Sequence, residues 1–98
     1  MSCSRVAEAL DTSGQFVAAA ITAGYFDGTR TSQSIEVSLD SVQAFSRRYI
    51  LPAQAAKLLG RSGHAARKYM LAAGLVQVDY VNKVTIWLRS DVESLAAA

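Results

Sequence analysis

Four side chains with nucleic-acid chemistry, Arg61, His64, Arg67 and Lys68, lie close together in the chain. Arginine reads guanine through paired hydrogen bonds, and lysine supplies charge to phosphate. Arg67 and Lys68 are adjacent, so on a helix they point about 100° apart and serve a base edge and a phosphate separately. His64 offers ring nitrogens to either. The bland alternative for all four is a solvated helix face. Catalytic chemistry finds no support. No paired carboxylates share a site motif, and the single histidine has no nucleophile beside it. Gly60-Arg61-Ser62-Gly63 lacks the lysine and the spacing of a phosphate loop. One cysteine, Cys3, allows no internal disulfide, and with one histidine no metal cluster is expected. The chain is therefore read as a non-enzyme without cofactor or small-molecule substrate.

The elements that position these residues run from Gln54 to Leu75. Ala55, Ala56, Leu58 and Leu59 predict the inward face of a first helix. Gly60 suits a chain reversal, because glycine takes positive φ without cost. Ser62 suits the cap of a second helix, and Gly74 its end. Ala66, Tyr69 and Met70 then face inward, leaving His64, Arg67 and Lys68 outside. Two helices joined this tightly predict a helix-turn-helix, whose second helix enters a DNA groove.

The 98 residues suit one ordinary domain or two very small ones. Half are hydrophobic and charge is sparse, which excludes a disordered tail. Residues 1–48 carry four basic and five acidic side chains, a net −1, whereas residues 49–98 carry six basic and three acidic, a net +3. Apolar runs of membrane-spanning length and a signal peptide are both lacking in the sequence. A reducing cytoplasmic, nucleoid-associated setting is expected. The ending Ser94-Leu95-Ala96-Ala97-Ala98 suggests an appended tail on a fragment of a longer protein.

Internal similarity organises the rest. At a shift of 49, Val6, Ala7, Ala9 and Leu10 meet Ala55, Ala56, Leu58 and Leu59. Asp11 meets Gly60, and aspartate tolerates the left-handed region. Ser13-Gly14 meets Ser62-Gly63; one inserted residue then moves the shift to 50, where Gly24 meets Gly74. Residues 34–45 resemble residues 84–95 at the same shift. Each copy reads helix, turn, helix, hairpin, helix. The first hairpin is expected to turn within Asp27–Gln33 and the second near Tyr80–Lys83, with Val76, Val78, Val84 and Ile86 on strands. Ser41–Arg48 is expected to close the first copy, and Pro52 to open the next helix. The fold class is mainly α with short β-hairpins: two tandem winged helix-turn-helix modules, residues 1–48 and 49–98. Modules of this size are near the lower limit for a self-standing core, so they should pack together. Leu10, Val17, Ile21, Tyr25, Val37 and Phe45 are candidates for the first core. Tyr69, Tyr80, Trp87 and Leu88 are candidates for the second.

Gln54–Ser62, Ala72–Leu75 and Trp87–Leu95 resemble the winged helix-turn-helix of the MerR and phage-excisionase superfamily. The doubled arrangement also resembles the C-terminal region of TniQ/TnsD-type proteins, which help select transposon targets, although their zinc-binding cluster is absent. The long coiled-coil helix of a MerR regulator is absent too. The resemblance implies binding of double-stranded DNA in a mobile-element context, excision control or transposon target selection, beside other proteins of a transposition or recombination complex.

The candidate DNA-binding residues are Arg61, Ser62, His64, Arg67 and Lys68, with Lys83 at the wing tip reaching a phosphate. In the first copy Gln15 is a base-reading residue, and Arg30, Arg47 and Arg48 are candidate phosphate contacts. The first copy's second helix has no positive charge, which predicts low affinity of its own. Arg89 is expected to pair with Asp91 or Glu93. Phe16 lacks an obvious inward slot: it is either core or, if exposed, the mark of a partner-binding surface. The rival function is accordingly a protein-interaction module or spacer.

Overall fold

The computed structural model describes residues 1–32 and 34–98, and its helices start where serines can cap them. Ser2, Ser13, Ser38 and Ser62 each accept, through Oγ, the backbone N–H three residues on. They open α1 (Cys3–Leu10), α2 (Gly14–Thr22), α3 (Leu39–Arg48) and α5 (Gly63–Ala72). Between α3 and α5, Pro52 stands at the start of α4 (Pro52–Leu59), where its missing N–H costs nothing. The last helix, α6 (Arg89–Ala97), starts without a side-chain cap. Both tight helix-helix turns pass through the left-handed region, at Asp11 (φ 56°) and Gly60 (φ 65°).

Two small antiparallel sheets complete these residues. β1 (Gly28–Arg30) pairs with β2 (Ile35–Val37). β3 (Tyr49–Ile50), β5 (Val84–Leu88) and β4 (Asp79–Val81) form a three-stranded sheet with β5 in the middle. The chain is thus mainly helical with short hairpins, and the order helix, helix, hairpin, helix occurs twice. A further correspondence is visible only in three dimensions. Met1 and Val37 exchange two backbone hydrogen bonds, of 2.6 and 2.8 Å, just as Ile50 lies opposite Trp87. Met1 and Val37 lie 49 and 50 residues before Ile50 and Trp87.

Several boundaries differ from the sequence reading. Gly28, Thr29 and Arg30, expected in a turn, are paired in β1, and Gln33 lies outside the described residues. α3 begins before Ser41 because Ser38 is the cap; the Ser41 hydroxyl instead donates to the Ser38 carbonyl and accepts from Asp27 N. The second turn is Asn82-Lys83 alone, and Val76 and Val78 both precede the strand. Tyr80 is 56% exposed, and Leu58 is exposed as well. Tyr80 lies on β4, the edge strand of the sheet, and its side chain is left outside the core. Leu95 packs partly buried against the second core, and α6 continues to Ala97.

β5 decides where the cores sit. Neighbouring strand residues point to opposite faces. Ile86 joins the cluster of Val6, Leu10, Val17, Phe45 and Leu51, whereas Trp87 joins Ile50, Ala55, Met70 and Val92. Ile50 and Leu51 divide in the same way. Phe16 is fully buried in the first cluster, so it is core and offers nothing to a partner. The slot it fills comes from the neighbouring elements, which helical periodicity alone does not reveal.

Three polar ties reinforce the junction. The Tyr25 hydroxyl donates to Asp79 Oδ2 at 2.6 Å, Lys57 pairs with Asp11, and Arg89 Nε donates to the Ser46 carbonyl. Arg89 therefore anchors α6 to α3 instead of pairing with Asp91 or Glu93. The carbonyls near the C-terminal end of a helix carry partial negative charge and favour a cation.

Ile86 and Trp87 lie in different clusters on one strand. Urea unfolding followed by Trp87 fluorescence and by far-UV circular dichroism is expected to give coincident curves. Ile86→Ala should lower stability by about 2–5 kcal/mol on both probes. The Tyr25–Asp79 contact has a pH signature. Burial, and then the hydrogen bond to Asp79 and its charge, push the Tyr25 hydroxyl up to about 12. The same hydrogen bond, with one from Tyr80 N, holds the Asp79 carboxyl below its ordinary value. The Tyr25 contribution is complete below about pH 10 and is lost as pH rises toward about 12. The Asp79 contribution is present above about pH 4 and is lost on acidification. In a series of melting temperatures against pH, Tyr25→Phe should flatten both arms.

Candidate nucleic-acid interface

α4 and α5 pack through Ala55, Ala56, Ala66 and Met70, small or flexible side chains that let the helices approach closely. Their turn sets the start of α5 beside the β4–β5 hairpin. There Arg67 of α5 and Lys83 of the hairpin turn line one hollow of about 240 Å³, together with Pro52, Gly63, Met70, Thr85 and Trp87. Two cations from distant parts of the chain thus meet over a largely apolar floor. No acidic residue lines the hollow.

The other cations of the second half differ in availability. Lys57 is engaged by Asp11 and Arg89 by Ser46. Arg61 lies with its guanidinium 4.0 Å from the centre of the Tyr69 ring, which holds the side chain beside α5 while leaving it exposed. His64, Arg67, Lys68 and Lys83 are exposed, and none forms an ion pair among the described residues. Ser62 caps α5 through its acceptor oxygen.

The first-half candidates lie elsewhere. Gln15 is exposed at the start of α2. Arg30 lines a separate hollow with Ala18, Ala19, Ile21 and Thr22. Arg48 lies 5.5 Å from the Tyr49 ring centre and borders a third hollow with Tyr25 and Asp27. Arg47 is exposed near the end of α3 beside Gln43 and Ser46. The structure brings Arg67 and Lys83 together and gathers none of Gln15, Arg30, Arg47 and Arg48 into their hollow.

Comparison with known proteins finds no match. No protein-family model, curated protein or solved structure is similar enough to show a family. The functional reading therefore stands on the residues themselves. Among the described residues no helix is long and apolar enough to cross a membrane.

Three features escaped the sequence reading. Residues 41–78 contain six arginines and lysines and no aspartate or glutamate, a signal that was legible in the charge pattern. Thr85 is buried and lines the hollow, which requires knowledge of strand register. Asn82 and Lys83 both have positive φ, 48° and 64°, as in the tight turns that favour Asn-Gly. Lysine in the left-handed region costs about 1 kcal/mol relative to glycine. Lys83→Gly is accordingly expected to raise the urea midpoint, by about 0.5–1 kcal/mol in stability.

Proposed function

We propose that the chain binds double-stranded DNA as two tandem winged helix-turn-helix modules. In this reading α4 and α5 are the helix-turn-helix, α5 enters the major groove, and the β4–β5 hairpin is the wing beside it. The observation that supports it best is that Arg67 and Lys83, from distant parts of the chain, line one hollow with no acidic residue in its lining. Neutralising backbone phosphates supplies most non-specific affinity for DNA, so that arrangement is what a duplex requires. His64 and Lys68 stand exposed on α5 for base edges and phosphate, and Arg61 stands in the turn before it.

The first module is the weaker contact. Its α2 lacks cations, and Gln15 and Arg30 are its means of reaching DNA. The molecule is 46 Å long, somewhat more than the roughly 34 Å turn of B-DNA. A second contact on the same duplex gains from tethering even when it is weak. Because tandem modules in one chain need no two-fold axis, an asymmetric site is the natural target. The mobile-element setting, excision control or target selection, belongs to this proposal through the sequence resemblance. A partner-binding reading keeps some support from the exposed Leu71, Val76 and Val78, although Phe16 no longer serves it.

Fluorescence anisotropy with labelled random duplex between about 50 and 200 mM salt tests the reading. Binding should fall steeply with salt, and Arg67→Ala and Lys83→Gly should each weaken it and lower the salt slope by about one. Lys83→Gly is the sharper variant, since it should bind worse while folding better. A folded chain that ignores duplex at low salt would exclude direct DNA binding and favour a protein partner.

A further inference from the structure

We infer that the hollow beneath Arg67 and Lys83 is a phosphate-binding site in which the Thr85 hydroxyl is the neutral donor and Trp87 senses occupancy. The inference rests on the DNA reading for the source of the phosphate, a backbone phosphodiester. Thr85 is only 5% exposed and lines the hollow. Its Oγ1 accepts the Trp87 indole N–H at 2.8 Å. A hydroxyl can donate one hydrogen bond as well as accept two. No acceptor for the Thr85 hydrogen is found among the described residues. A buried hydroxyl with donor capacity to spare, on a residue that lines a hollow bordered by two cations, is suited to an oxyanion.

The donors come from three elements: Arg67 from α5, Lys83 from the turn and Thr85 from β5. Donors converging from different directions suit a tetrahedral phosphate better than a planar carboxylate. Met70, Pro52 and the Trp87 ring border the hollow, and an apolar surround strengthens each charged hydrogen bond. When the Thr85 hydroxyl donates a hydrogen bond to phosphate, its oxygen becomes a stronger acceptor toward Trp87. The single tryptophan is thereby coupled to the site, and its emission changes when the site fills.

The test separates the hydroxyl from the charges. Thr85→Val should weaken duplex binding by about tenfold, the scale of a hydrogen bond to a charged group, whereas Thr85→Ser should stay within roughly twofold of the parent. The salt slope should not change, because a hydroxyl releases no counterion; Arg67→Ala should lower it by about one. Valine also orphans the Trp87 N–H, so the same substitution is made in Trp87→Phe, where no N–H is left to satisfy. Equal affinity of Trp87→Phe and Trp87→Phe/Thr85→Val, both folded by circular dichroism, would overturn the site. So would a Thr85→Val loss accompanied by a reduced slope, which would mean displaced cations. A second arm titrates inorganic phosphate at constant ionic strength and follows Trp87 emission. A saturable change that Arg67→Ala/Lys83→Gly abolishes supports the site. If the parent chain ignores duplex, that result would leave a free phosphate compound as the ligand while the DNA reading falls. No change in emission together with no duplex binding would overturn both.

Discussion

The structure depends on a single strand that is buried on both faces. β5 presents Ile86 to one hydrophobic cluster and Trp87 to the other. Ile50 and Leu51 repeat the division one strand away. Each half of the chain is near the lower size limit for a self-standing core. Sharing a wall of sheet solves that problem, since each fully buried large apolar side chain contributes about 1.5–3 kcal/mol that a separate half would forgo. The shared wall also limits relative motion. The contacts of Tyr25 with Asp79, Lys57 with Asp11 and Arg89 with Ser46 lie on the same junction and restrict it further. The orientation of α5 relative to the first half is thus a property of the core rather than of a linker.

The same strand carries the proposed binding chemistry. Thr85 shares the sheet face of Trp87 and borders the hollow that Arg67 and Lys83 also line. Core and proposed site are therefore two ends of one packing arrangement. Pressure to keep Trp87 buried also keeps Thr85 in place. Lys83 illustrates the opposing pressure. Glycine would suit its backbone better, yet lysine stands there and adds a positive charge beside Arg67. A residue that departs from its local preference at the rim of a charged hollow fits a functional demand, because nothing in the hairpin itself calls for it.

Much of the local structure was legible in the sequence. Ser13 and Ser62 announce helix starts, Gly60 and Asp11 the reversals, Pro52 a first helical turn, and Asn82 a hairpin turn. These signals are short-range: a hydroxyl three residues from an N–H, or a backbone that needs positive φ. They require no knowledge of what lies across the fold. The outward placement of His64, Arg67 and Lys68 follows from helical periodicity, which is equally local. The charge asymmetry is also carried by the sequence alone, including the acid-free run over residues 41–78.

What needed the tertiary structure was every assignment that depends on two faces or two distant segments. Phe16 seemed to have no inward slot, because a helix within a small single core has one buried stripe; the surrounding elements bury it from another direction. Tyr80 looked like core by residue type, and its edge strand leaves it outside. Arg89 had two carboxylates nearby in sequence, yet folding brought it the Ser46 carbonyl. The meeting of Arg67, Lys83 and Thr85 belongs to the same class. Periodicity tells which side of an element a residue occupies, but only the packing of α5 against β5 decides which sides face one another. The sequence by itself determined the elements, their caps and the sign of their charge. The tertiary structure decided which surfaces are shared, because burial depends on the sum of neighbours and not on the residue alone.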